Sequence, residues 1–149
     1  MITIYKTVAG VLKEQKKVTA GAWVNAVNPD EEEIDLLVKM GVPAEFIHSS
    51  LDIDELARVD REAEKRFIFI RVPFFQGDQM DIPYTTMPLV VITSNSWIVT
   101  ICKQNNQLLR ESKKASTHPL HTKKHNTFIL HILFNTAKLF LSNLTAINR

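Results

Sequence analysis

Met87-Pro88-Leu89-Val90-Val91-Ile92-Thr93, then Ser94-Asn95-Ser96, then Trp97-Ile98-Val99-Thr100-Ile101-Cys102: this stretch decides how the chain folds. Two runs rich in β-branched and aromatic residues flank three short polar ones, the pattern of an antiparallel hairpin across a tight turn. Phe67-Ile68-Phe69-Ile70-Arg71-Val72 is a third such run and reads as a central strand of the same sheet. The single cysteine, Cys102, closes the second arm of the hairpin. Its apolar neighbours make it a structural thiol, and one cysteine leaves no intrachain disulfide to form.

Working back from the hairpin, residues 51–60 form an acidic stretch that reads as an irregular link, preceded by a short helical turn over residues 43–47. Before that lies a helix start. Asn28 suits the cap, Pro29 the first helical position, and Glu31 the acid of a capping box. Asp30, Glu31, Glu32 and Glu33 crowd the first turn, where the helix dipole favours negative charge. Ile34, Leu37 and Val38 supply a buried stripe, and Gly41 a stop. Three further strands are expected at the start of the chain, over residues 2–5, 8–12 and 22–27.

Working forward, the character changes after Lys103. Residues 103–127 are polar and basic and read as a linker or the surface of a helix. From Phe128 apolar residues recur at helical spacing: Ile129, Ile132, Leu133, Phe140, Leu144 and Ile147, widened by Leu130, Phe134, Ala137 and Leu141. His131, Asn135, Thr136, Lys138 and Asn143 interrupt this tract, so a complete membrane span, which takes about 20 mostly apolar residues, is not expected in it. The amino terminus lacks the basic and apolar regions of a signal peptide. As it stands, the sequence reads as that of a soluble domain.

The net charge of +2 conceals an asymmetry. Residues 1–102 carry ten Lys or Arg against fifteen Asp or Glu, a net of −5, and residues 103–149 carry eight against one, a net of +7. Such blocks most often form solvated faces, although a basic tail suits polyanions and an acidic block concentrates cations. Residues 103–127 contain no aromatic side chain on which a base could stack, so nucleic acid is not the expected partner. Nucleotide-binding loops and the hydrolase elbow are absent, and no nucleophile–base pair can be named; an enzyme is not expected. His118, His121 and His125 have the spacing of one helix face, but Lys123 and Lys124 beside them oppose a metal cation. The acidic link is the better candidate: Asp52, Asp54 and Glu55 lie close together, with Asp60, Glu62 and Glu64 soon after. Hard divalent ions take oxygen ligands, and magnesium commonly keeps its waters while touching one or two carboxylates. Taken on the residues alone, capping and solubility are the plainer account of these acids.

In order along the chain, these features resemble the cytosolic domain of the CorA magnesium transporter family. Trp23-Val24-Asn25-Ala26-Val27-Asn28-Pro29-Asp30-Glu31-Glu32 is similar to its tryptophan strand running into an acidic helix. Gly41-Val42-Pro43, Leu51-Asp52 and Arg58-Val59-Asp60 resemble its glycine-ended helix, second short helix and arginine-containing link. Residues 67–72, 88–93 and 97–100 look like its later strands, and residues 128–147 like the start of its stalk. The family's Gly-Met-Asn signature and both membrane helices are missing, and His48, Ser49 and Ser50 stand where some members place a regulatory carboxylate.

The resemblance implies an α/β (α+β) fold, a mixed sheet flanked by helices with a long stalk helix beginning at the carboxyl end. Its expected division is a domain over residues 1–112, a basic linker or helix surface over 113–127, and a truncated stalk helix over 128–149. It also implies a parent protein in the cell membrane, a homopentamer with this domain on the cytoplasmic side, that passes magnesium down its gradient. Intracellular Mg2+ would bridge neighbouring domains, with Asp52 and Asp54 as the nearest half-site and Ile129, Ile132, Leu133, Phe140 and Leu144 at the oligomer interface. The alternative is a free-standing α/β protein that binds a partner helix through residues 129–147.

Overall fold

The computed structural model describes residues 1–105, 107–114 and 120–149. Among them a seven-stranded sheet has the order β2-β1-β3-β7-β6-β5-β4. Its strands are β1 (Ile2–Val8), β2 (Val11–Gln15), β3 (Ala22–Val27), β4 (Arg58–Glu62), β5 (Lys65–Phe75), β6 (Tyr84–Thr93) and β7 (Trp97–Cys102). Helices α1 (Glu31–Lys39) and α2 (Ala44–Leu51) cover one face; α3 (Gln107–Lys113) and α4 (His125–Ile147) lie on the other. β3 runs parallel to β7, in register from Ala22 opposite Trp97 to Val27 opposite Cys102, and the other ladders are antiparallel. The sheet is therefore mixed and the fold α+β, as the resemblance implies.

Strands covered on both faces read as continuous apolar runs. β7 is buried along its whole length, and β6 from Met87 to Thr93. Val90, Ile92, Val99 and Ile101 face α1 and α2, while Leu89, Val91, Ile98 and Cys102 face α3 and α4. Trp23 is fully buried on the second face, edge-on to Phe128 of α4 with ring centroids 5.2 Å apart. Its indole Nε1 donates to Thr100 Oγ1 at 2.8 Å, and that hydroxyl donates to Asn25 Oδ1 at 2.9 Å. Two strands whose sequence positions differ by 75 are thus joined by side chains as well as by the ladder.

Several boundaries differ from the sequence-based expectation, each for a local reason. The cap of α1 is Asp30, not Asn28: the Asp30 side chain accepts from the Glu33 amide, and the Glu33 carboxylate accepts from the Asp30 amide. Asn28 instead adopts φ 43°, the left-handed turn that lets Pro29 bury before the helix begins. Residues 8–12 are not one strand. Ala9 and Gly10, at φ 51° and 78°, form the tight turn between β1 and β2. The acidic link holds less chain than expected, because Arg58–Glu62 pairs with β5 as an edge strand.

The basic stretch after Lys103 contains α3, whose Leu108 and Leu109 are buried. Leu120 and Thr122 are buried too, so neither is linker surface. The Thr7 amide donates to Thr122 Oγ1, and the Thr122 amide donates to Thr7 Oγ1, tying this segment to β1.

Thr100→Val should leave the Trp23 indole and the Asn25 carbonyl without their partner while conserving volume. Urea unfolding should show a loss of about 1–3 kcal/mol with an unchanged m-value. A second test concerns Glu33. Burial works to raise its carboxyl, but hydrogen bonds from the Met1 ammonium and from the Asp30 and Ile2 amides outweigh it and hold the group below the usual glutamate value. A depressed carboxyl stabilises the fold above its unfolded value, and that stability is lost as the pH falls through the folded value. Stability profiles of wild type and Glu33→Gln should therefore converge in acid and separate towards neutral pH.

Candidate functional site: the acidic link and the outer face of α4

Asp52 is the carboxyl-terminal cap of α2, and its Oδ1 accepts from the Asp54 amide at 3.0 Å, a local turn of the kind aspartate favours. Both carboxylates are exposed. Glu55 behaves differently. Its carboxylate is paired with the Arg58 guanidinium, which also donates to Asp60 Oδ2 at 2.6 Å and lies 4.1 Å over the Phe69 ring. The link's third acid is therefore already engaged by a cation from its own chain. Asp52 and Asp54 remain as a pair of solvent-facing oxygen donors. Among the described residues no group of three His, Cys, Asp or Glu is gathered as a metal would need.

The link is fixed by β5. Arg71 Nη1 donates to the Ile53 and Glu55 carbonyls, at 3.0 and 2.7 Å, while Nε and Nη2 grip Thr86 Oγ1 and the Thr86 carbonyl, each at 2.9 Å. Sequence reading placed Arg71 inside a strand and assigned it nothing. A lone charge in an apolar strand was the available signal.

His118 lies outside the described residues. His121 is half-buried next to the start of α4, and His125 opens the helix. Burial first, and Arg66 second, push the His125 imidazole down, favouring its neutral form. Cys102 is buried, and burial pushes its thiol up to about 12, so the thiolate needed for reaction is not available near neutral pH.

The second feature is α4. By length and composition it could cross a membrane, which its polar interruptions did not suggest, yet Phe128, Ile132, Thr136 and Leu139 are buried inside this domain. Of the interruptions, Thr136 is buried and His131, Asn135 and Asn143 are half-buried, while Lys138 is exposed. Asn135 Nδ2 donates to Ser112 Oγ of α3 at 3.1 Å, and Thr136 Oγ1 donates to the Ile132 carbonyl at 2.7 Å. Outward, Leu130, Phe134 and Leu141 are each about two-thirds exposed, and Leu133, Phe140, Leu144 and Ile147 are also exposed. Of the expected interface residues, Leu133 is exposed, Phe140 and Leu144 are exposed in a cleft they share with Pro73, Tyr84 and Thr86 of the sheet, and Ile129 is half-buried. Ile132 is 1% exposed and spent inside the chain, a correction that follows from the helix rolling it onto the sheet.

A seven-stranded mixed sheet covered on both faces by helices, the last of them 23 residues long, defines the class: an α+β domain. The model of the CorA-like Mg2+ transporter protein family matches residues 19–149, and the chain belongs to that family. The soluble domain of CorA from Methanocaldococcus jannaschii superposes with a TM-score of 0.80 over 99% of this chain and 60% of that one, at 20% identity. The complete CorA transporter from the same organism gives 0.76 over 99% and 48%, at 17% identity, so this chain spans about half its length. The cytoplasmic domain of ZntB from Vibrio parahaemolyticus gives 0.79 over 98% and 61%, at 9% identity. No curated protein matches the chain.

Because both carboxylates are exposed, Asp52→Asn with Asp54→Asn should leave the thermal midpoint within about 2 °C of wild type, as surface changes do. Magnesium titrated into the isolated wild-type chain should bind only in the millimolar range, about what low-affinity oxygen sites reach. The double variant should lose even that signal in calorimetry.

Proposed function

We propose that this domain is a cytosolic regulatory and packing module of a CorA-like magnesium transporter. The parent protein would pass the divalent ion passively through its membrane-spanning helices. In this reading the domain does no covalent chemistry. Copies assemble around the pore, and intracellular magnesium bridging neighbouring domains favours one arrangement over another. Family membership supports the transport setting. The packing role rests on one observation: beyond its buried stripe, α4 leaves Leu130, Phe134 and Leu141 each about two-thirds exposed, a row of large apolar side chains on its outer side. A face of that kind seeks cover.

Asp52 and Asp54 would supply half of the magnesium site, with a neighbouring subunit supplying the rest. Two carboxylates hold a reluctantly dehydrated ion chiefly through its waters, so occupancy depends on the partner. A free-standing interaction protein is the second reading, and the same outer face of α4 favours it, with a foreign helix as the occupant.

Sedimentation distinguishes the readings. The wild-type chain should self-associate with rising concentration, and Leu133→Glu with Leu141→Glu and Leu144→Glu should remain monomeric at unchanged secondary structure. A wild-type chain that stays monomeric at high concentration would remove the support for copy-to-copy packing through α4. In a full-length transporter carrying this domain, magnesium should slow proteolysis of the cytosolic part. Asp52→Asn with Asp54→Asn should weaken that protection, whereas replacing His118, His121 and His125 should not, since magnesium prefers oxygen to imidazole. Equal protection in the aspartate variant would place regulation elsewhere.

A further inference from the structure

The link between α2 and β4 has no ladder of its own, yet it is held in one place. The hydrogen bonds it forms along its own length are local: Asp54 to Asp52, Glu55 to Asp52, Leu56 to Glu55, and Arg58 to Glu55. Beyond the Asp52 amide, which donates back to the Ser49 carbonyl of α2, the long-range hydrogen bonds that reach it among the described residues are the two that Arg71 donates to the Ile53 and Glu55 carbonyls, across 18 and 16 positions of sequence. Arg71 sits opposite Pro88, one pair beyond Leu89, where the pairing of β6 with β7 ends. Pro88 has no amide to give, and the guanidinium runs along β6 to take Thr86 through both its hydroxyl and its carbonyl. A planar fork with its donors divided between two chain segments fixes their separation and their angle, which a flexible ammonium does not.

We propose that Arg71 is the positioning residue of the acidic link, the latch that sets where the Asp52 and Asp54 carboxylates stand relative to the sheet. The latch also takes up the two backbone carbonyls, which are themselves good oxygen ligands for a hard cation. It thereby leaves the carboxylates as the groups the link offers outward. The part of this proposal that concerns magnesium rests on the half-site reading above; the latch itself does not.

Hydrogen exchange on the whole chain tests both parts, using wild type, Arg71→Met and Arg71→Lys. Without magnesium, amides of residues 53–57 should exchange about tenfold faster in both variants, because two charge-assisted bonds are lost. Lysine should fail like methionine although it keeps the charge, and protection of the β4–β5 ladder should be unchanged in both. Link exchange equal to wild type in Arg71→Met, full rescue by lysine, or loss of the β4–β5 ladder along with the link would each overturn the latch. Millimolar magnesium is then added. If the half-site reading is right, it slows exchange at the link in wild type, and the positioning role requires that this slowing be lost in Arg71→Lys. Slowing that persists in Arg71→Lys overturns the positioning role. No slowing in wild type sinks the half-site reading and leaves the latch to stand or fall on the magnesium-free exchange.

Discussion

The parallel pairing of β3 with β7 is the constraint on which the rest of the structure depends. It is the one parallel ladder among the described strands, and it joins the amino-terminal hairpin to the β4–β7 meander. Parallel neighbours cannot be joined by a tight turn, so the chain must leave β3, cross one face, and return. α1 and α2 make that crossing, and the meander is laid down before β7 closes the ladder. The chain of hydrogen bonds from Trp23 through Thr100 to Asn25 sits inside this seam. A buried polar chain that is fully satisfied specifies one register, because a slip of one residue would strand every member of it.

Much of this was legible because the pattern was strong. Residues 87–102 could hardly be anything but buried strands, and Trp23 entering an acidic helix announced a packed junction. What was missed was missed for local reasons. Asn28 and Asp30 are both good caps, and propensity cannot tell which residue takes the left-handed turn. β4 reads Arg-Val-Asp-Arg-Glu, a charged edge strand whose stability comes from β5, not from its own composition. α3 is seven residues long, too short for a period to stand out from its basic surroundings.

The candidate site shows the same division. The acids of the link were visible from composition alone, and Asp52 and Asp54 emerge as its outward pair. That Glu55 is already engaged by Arg58, and that Arg71 grips the backbone from 16 positions away, depends on a tertiary arrangement no short window contains. In α4 the apolar spacing was real, but spacing does not say which side of a helix that is apolar nearly all round will meet the sheet. The structure answers with Phe128, Ile132 and Leu139 inward, and the inward side tolerates polar residues because Asn135 finds Ser112 and Thr136 its own backbone.

The burial of Cys102 gives the molecule a built-in clock. The sequence contains one thiol, it lies at the end of the strand that closes the parallel seam, and burial keeps it from ionising. A thiol reagent can consume it only in molecules whose seam has come apart. The rate of that reaction would then count openings of β7 one by one. Where the chemistry outpaces reclosing it reports how often the seam breaks, and where reclosing is faster, what fraction of the population is open at any moment.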